Sequence, residues 1–384
     1  MTKSDLGKLL SSASSPKKRK RVVTIRIFLV VVFVVFFATT TTAAMCKGEK
    51  RDSSRSNNND DDGAACSGAS TTWDVKKAVE GAKDIESRMH SKGELKTDGF
   101  TVLLNTFKRR DLLKRALKHY VRCENVEHIR VVWSEQTAPP NIWSKEDAKD
   151  FFAEPPAKKR GGGGAVQQAF VRYDWHPTTS IQNRFTPLEN LPTEAVFHVD
   201  DDVRIPCNKL SLGFQTWKKN KNALVGYFPR SHAKRGAQAG NACELRYVWN
   251  DFELFFMSKS KYSIALTKAA FSHAKYLGVY EKFLPIGVRE YVDKRKNCED
   301  IAMQMLVSSI VNEMNSLSTS GEAYSRHSSA VAVSSGWAHY LAGKIDSLFV
   351  DGISSGQGHH EERSGCVDDF SRMFGRSRSP LGPF

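Results

Sequence analysis

The chain has 384 residues, 40% of them hydrophobic, and a formal net charge of +15, which suits one large domain or two small ones. Its seven cysteines contain no CxxC pair and no zinc-ligand spacing, and their scatter over so long a chain does not suggest a disulfide scaffold. The basic excess is uneven: residues 1–46 carry eight Lys and Arg against one acid, a net of +7, so the charge belongs partly to a tail. What remains suits anionic partners or a solvated basic surface, and no nucleic-acid partner is expected.

In chain order, the first element is a basic run, Lys17 to Arg21, inside a tail over 1–26. An uncharged stretch follows from Ile27 to Met45, about the length that crosses a bilayer. Basic residues on its N-terminal side keep that side cytosolic and leave the bulk of the chain luminal. The reading is a signal anchor over 27–45 and a single-pass type II protein of the Golgi or ER membrane. Two alternatives stay open. Thr42-Ala43-Ala44 has the small residues of a signal-peptide cleavage site, and Pro16 to Arg21 also reads as a nuclear import signal.

Residues 46–96 are polar, with Ser-rich, Asn57–Asn59 and Asp60–Asp62 runs, and read as a flexible stem. No N-x-[ST] sequon occurs in the chain, so glycosylation offers no check on topology.

The folded domain, 97–384, takes its first strand from Phe100 to Asn105. Leu112, Leu113, Ala116, Leu117 and Tyr120 then recur at helical spacing. Ile129 to Trp133 is a second strand, and strand, helix, strand in this order predicts a parallel sheet with helices on its faces. Ala195 to Val199 and Ala223 to Phe228 are further strands. The fold class is therefore α/β, with ligands expected beyond the carboxyl ends of the strands. Segments 155–164 and 312–335 are low in complexity and read as inserted surface loops.

Three constellations carry chemistry. A hydrophobic strand ending in Asp200, Asp201 and Asp202 sets like charges side by side, and a divalent cation would offset their repulsion. Magnesium and manganese take oxygen ligands of this kind together with substrate phosphates. Asp200 and Asp202 share one side of an extended chain while Asp201 faces away. An acidic turn without a metal is the plain alternative. Glu299 and Asp300 open a helix rich in apolar residues, where the helix dipole favours anions whether or not they act chemically. Gly356 to Cys366 is a glycine-rich loop with His359, His360 and Arg363, fit for a metal or simply polar. In Ser180 to Phe185, the Asn and Arg are of the type that contacts ribose or phosphate.

Taken together, the blocks FTVLLNTFKRRDLL (100–113), VVW (131–133), NRF (183–185), VDDDV (199–203), VGYFPR (225–230), YSIALTKAAF (262–271), NCEDIAM (297–303) and GISSGQGHHEERSGC (352–366) resemble glycosyltransferase family 64, the exostosin-like catalytic domains. The resemblance spans roughly Phe100 to Gly375. The last three blocks look closer to plant members that resemble glycosylinositol phosphorylceramide mannosyltransferases. The resemblance implies a GT-A fold with a mostly parallel sheet and a retaining reaction with Mn2+ or Mg2+. It also implies a GDP- or UDP-sugar donor and a glycolipid or glycan acceptor.

Position by position, it implies that Asn105, Arg109 and Asn183 hold the nucleotide, that Asp200 and Asp201 bind sugar or ribose, and that Asp202 is the metal ligand. Asp300 would sit beside the anomeric centre and Arg363 near the diphosphate. Cys298 and Cys366 would form a disulfide tying the Asp300 helix to the Arg363 loop, as a luminal domain allows.

Three departures stand out. Glu299 replaces the Asp of the animal enzymes, Ser134 stands where they carry Asn, and Gln238 to Ser260 matches poorly where acceptor contacts are expected. In that last segment Trp249, Phe252, Phe255 and Phe256 either stack a sugar, approach lipid or belong to the core. Two other functions stay open: a transferase using a UDP-N-acetylhexosamine, and a sugar-binding pseudoenzyme.

Overall fold

A helix precedes the first strand of the sheet. The computed structural model describes residues 73–91, 93, 95–139, 170–234, 245–248, 262–317, 329–334, 359–375 and 379–381. Helix α1 spans Val75–Ser91, with the Asp74 carboxylate accepting from the Lys77 amide at 3.0 Å across its first turn. Ala78, Val79 and Ala82 face inward, and Trp73, Ile85 and Met89 pack beside them on the main core. The flexible stem expected over 46–96 is therefore corrected at its C-terminal end: the folded unit includes α1. The tail (1–26), the apolar segment (27–45) and the stem up to 72 lie outside the described residues, as does the insert at 155–164. Among the described residues, no helix is long and apolar enough to cross a membrane.

Strand β1 (Lys96–Thr106) is followed by α2 (Arg110–Tyr120), β2 (Val126–Trp133) and β3 (Phe170–Trp175). A short 3-10 helix (Ile181–Phe185) leads to β4 (Thr193–Asp200), α3 (Cys207–Lys218) and β5 (Leu224–Gly226). Next come β6 (Pro229–Lys234), β7 (Leu245–Val248), β8 (Ile264–Ala265), β9 (Ala269–His273), α4 (Lys275–Phe283) and α5 (Ile286–Arg295). Helix α6 (Glu299–Leu317), β10 (Ala330–Ala332) and α7 (His359–Met373) complete the order.

The main sheet runs β10-β5-β9-β4-β1-β2-β3. The β1–β2, β1–β4, β2–β3 and β10–β5 pairs are parallel, and only β9 runs against its neighbours β4 and β5. The strands of its centre are buried on both faces, as a parallel sheet covered by helices must be. Alternation along β1 sends Phe100, Val102 and Leu104 to the face covered by α2 and α3, and Leu103 to the face covered by α1, α4, α6 and α7. On the first face Phe100, Phe197, Phe214 and Phe271 form one aromatic cluster, with centroids 4.7–6.5 Å apart. Helix α3 lies so close that a Cβ on Gly213 would come within 2.1 Å of the Tyr227 hydroxyl. A second, antiparallel sheet, β7-β6-β8, stands beside the main one.

The expected insert at 312–335 is corrected at both ends. Its beginning continues α6 to Leu317, and Ala330–Ala332 is the edge strand β10, hydrogen-bonded to β5. The expected loop at 356–366 is helical from His359 onward.

Candidate active site

The carboxyl ends of β1, β2 and β4 meet at one edge of the sheet. Asn105 on β1 stands opposite Val132 on one side and Asp200 on the other, and its carbonyl accepts from the Asp201 amide at 3.1 Å. The chain turns tightly at once, Val203 N donating to the Asp200 carbonyl at 3.0 Å. The three carboxylates therefore diverge. Asp201 is fully buried, taking a hydrogen bond from Thr106 at 2.7 Å and an ion pair from Arg109 at 2.6 Å. Burial pushes its carboxyl up to about 7 despite Arg109. This inward position suits a scaffold better than the sugar or ribose contact expected of it.

Asp200 faces the other way, onto Arg184, which donates to it at 2.7 Å. Burial raises its pKa as well, with Arg184 opposing. Asp202 is the most open of the three, and Arg109 reaches it at 3.4 Å. Its Oδ1 is buried yet accepts no hydrogen bond among the described residues. An anionic oxygen left without a donor is poor in a folded interior and well matched to a hard cation. Asp202 thus fits a divalent metal, whose remaining ligands would come from substrate phosphates and water.

Arg109 sits on a short bend that the sequence folds deliberately. Lys108 adopts a left-handed backbone (φ 56°) and its amide donates to Glu135 at 2.7 Å. Arg110 forks onto the same carboxylate at 2.7 and 2.8 Å and lies 3.8 Å over the Trp133 ring. Glu135, just past β2, fixes the bend and so aims Arg109 at the acidic turn. Asn183 donates to the Ser134 hydroxyl at 3.1 Å and to the Thr178 carbonyl at 3.0 Å, which puts the Ser134 departure directly against a nucleotide candidate.

The sequence leads one to expect a ribose or phosphate contact at Arg184. Here it is a buried bracket: one nitrogen bonds Asp200 and the Thr267 carbonyl (3.1 Å), the other Glu299 at 3.2 Å. Burial works against its charge, but Asp200 and Glu299 more than compensate and raise its pKa. Asp200 belongs to β4 and Glu299 to α6, so a single guanidinium joins the acidic turn to the helix that carries Asp300.

Asp300 is held at the start of α6 by Arg363 of α7, at 2.8 Å to each carboxylate oxygen. Arg363 also donates to Asn297 at 3.3 Å and lies 4.7 Å over the Tyr247 ring. Its burial opposes the charge, Asp300 outweighs that, and the pKa rises. The Cys298–Cys366 disulfide joins the two helix segments, so Arg363 stands on a tethered helix rather than on a loop. Cys298 itself has φ 73°, a strained value for a non-glycine residue.

A second disulfide, Cys123–Cys207, was not anticipated. It uses two members of a potential metal group, His119, Cys123 and Cys207. The other such group, Glu86, His90 and Glu194, has its carboxylates occupied by Lys275 at 2.8 Å and Lys221 at 2.7 Å. His360 is exposed and packs edge-on to Tyr247, with centroids 5.6 Å apart. The His359 side chain lies outside the described residues, as do Trp249, Phe252, Phe255 and Phe256.

The Glycosyl transferase family 64 domain matches residues 100–381. Glycosylinositol phosphorylceramide mannosyl transferase 1 of Arabidopsis thaliana is 34% identical over 278 residues, which cover 72% of this chain and 73% of that protein. An Exostosin-like-3 homolog of Caenorhabditis elegans is 27% identical over 304 residues, covering 78% of this chain and 30% of that one. Exostosin-like 2 of Homo sapiens is 26% identical over 238 residues, covering 61% and 64%. The aligned region thus spans less than two thirds of either animal relative.

Proposed function

The chain belongs to glycosyltransferase family 64, and from that premise we propose that it is a retaining, divalent-metal-dependent hexosyltransferase of GT-A fold. Its donor is GDP-mannose and its acceptor a membrane glycolipid such as glycosylinositol phosphorylceramide. The observation that carries the reading is the Arg184 bracket, which ties Asp200 of the acidic turn to Glu299, the neighbour of Asp300, while Asp202 stays open and Asp300 is clasped by Arg363. The plant relative, a glycosylinositol phosphorylceramide mannosyl transferase by name, supports mannose and the ceramide acceptor.

In this reading Arg109 and Asn183 hold the nucleotide beside Asn105, and Asp202 holds the metal. Asp200, fixed by Arg184, contacts the sugar or ribose, whereas Asp201 serves as the buried prop of the turn. When bound, the cation would offset the charge of the departing diphosphate. Asp300 lies against the anomeric carbon and stabilises the positive charge that develops there as the bond breaks. Arg363 holds that carboxylate in place and adds positive charge on the diphosphate side. The N-terminal apolar segment anchors the enzyme in the Golgi or ER membrane with this site luminal, a compartment that suits both disulfides.

The test is an Asp202→Ala variant assayed for nucleotide release from the donor, with loss expected. Full turnover in that variant would sink the proposal. Release of UDP from a UDP-N-acetylhexosamine in the native protein would replace mannose with that sugar.

A further inference from the structure

The segment between the acidic turn and α3, residues 203–206, has no helix or strand of its own. Its backbone polar groups need partners all the same, and the last turn of α2 supplies them. The Tyr120 hydroxyl donates to the Val203 carbonyl at 3.0 Å and accepts from the Ile205 amide at 3.2 Å. His119 Nε2 lies 2.7 Å from the Ile205 carbonyl. Two residues on, Cys207 is bonded to Cys123. Alternate residues 203, 205 and 207 are thus fastened to the last residues of α2 and the turn that follows it. Tyr120 is fully buried, and Val203 and Ile205 are buried beside it.

Asp202 is the residue immediately before this fastening. Its neighbour Asp201 is fixed by its own side chain, through Thr106 and Arg109. Asp202 is not: its contact with Arg109 is 3.4 Å long, and among the described residues its other oxygen has no donor. Where a side chain has so little to hold it, the backbone must place it. A cation that demands near-ideal geometry tolerates little error in that placement.

We infer that the end of α2, through His119, Tyr120 and the Cys123–Cys207 disulfide, positions Asp202 for its metal. These are positioning residues; none of them is assigned a contact with substrate. The inference rests on the proposed metal role of Asp202 and adds to it the device that sets the ligand.

The test uses the full chain with Mn2+ and GDP or UDP as the probe. Tyr120→Phe keeps the buried ring and removes the hydroxyl that joins Val203 to Ile205. Cys123→Ser with Cys207→Ser removes the covalent tie, and His119→Gln is a milder third change. Tyr276→Phe is the control, because the Tyr276 hydroxyl bonds the Asn222 carbonyl at 2.7 Å, just before β5 rather than at the acidic turn. Mn2+ is titrated by calorimetry at saturating nucleotide, and Tm is measured on the same samples.

The expected result is a Mn2+ dissociation constant raised about tenfold in Tyr120→Phe and in the double serine variant, with excess Mn2+ restoring most of the turnover. The control loses Tm and keeps its Mn2+ affinity. Unchanged Mn2+ affinity in the folded α2 variants, with Tm lowered as in the control, would overturn the inference and leave the transferase reading standing. If the native chain binds no Mn2+ with either nucleotide, both fall together.

Discussion

Arg363 donates from one nitrogen, Nη2, to both oxygens of Asp300 at 2.8 Å. Nearly all of both side chains is buried, and the two helices that carry them are covalently joined through Cys298 and Cys366. The pair is thus held in one arrangement before any substrate arrives, so its value to turnover and to stability can be separated by substitution.

Asp300→Asn keeps the shape and removes the charge. Turnover is expected to fall roughly 10²–10³-fold, while binding of nucleotide with Mn2+ stays within a few-fold. Initial rates and a nucleotide titration on the same protein check this. Turnover within tenfold of the native enzyme would remove Asp300 from the chemistry.

Arg184→Leu leaves Asp200 and Glu299 as buried carboxylates without their partner. The expected loss is about 3–5 kcal/mol of stability, read by urea unfolding of the metal-free protein. Arg184→Lys recovers only part of it, because one ammonium cannot replace a planar fork that reaches both β4 and α6. A loss below about 1 kcal/mol would fit an exposed ion pair instead.

Stability should also depend on pH in two separate windows. Burial, with the Asp300 charge beside it, pushes the Glu299 carboxyl up from 4.5 to about 7. Such a group takes up protons on folding, so its contribution is greatest below about 4.5 and falls as pH rises towards 7. Glu194 is the opposite case: His273, with Lys221 beside it, holds its carboxyl at about 2. Its contribution is whole above 4.5 and is lost as pH falls towards 2. Urea midpoints across pH should therefore decline on both sides, with Glu299→Gln flattening the neutral limb and Glu194→Gln the acid limb.

A fragment starting at residue 97 would lack α1. It would expose the core surface under Ala78, Val79 and Ala82 and remove Glu86 from Lys275, which it meets at 2.8 Å. That fragment is expected in the insoluble fraction, or with a much lowered Tm, and a fragment starting before Trp73 is expected to be soluble. Equal Tm values for the two would show that α1 contributes nothing to the fold.

The central strands were legible in the sequence because a parallel strand buried on both faces is a continuous apolar run, as in Phe100 to Leu104 and Ala195 to Val199. The acidic turn was legible because three carboxylates in a row at the end of an apolar strand repel one another and stand out from the run before them. Helix α1 was not: its buried face is two alanines and a valine, too little apolar weight to stand out among lysines and glutamates. The 312–335 segment hid β10 because a three-residue edge strand carries no periodicity. Arg184 was visible as a cation, but its partners lie 16 and 115 positions away, and no local pattern pairs them. Cys123 and Cys207 are 84 positions apart, and seven cysteines do not declare their pairing.

Metal-dependent transfer from a GDP-sugar is tested most directly by nucleotide release from the full chain in detergent with Mn2+, offered GDP-mannose and, separately, UDP-sugars. GDP release from GDP-mannose is expected, abolished by a chelator and absent in Asp202→Ala. Release that persists through both treatments would contradict it, as would silence with every donor in a protein that still binds nucleotide and Mn2+ when a ceramide glycolipid acceptor is supplied.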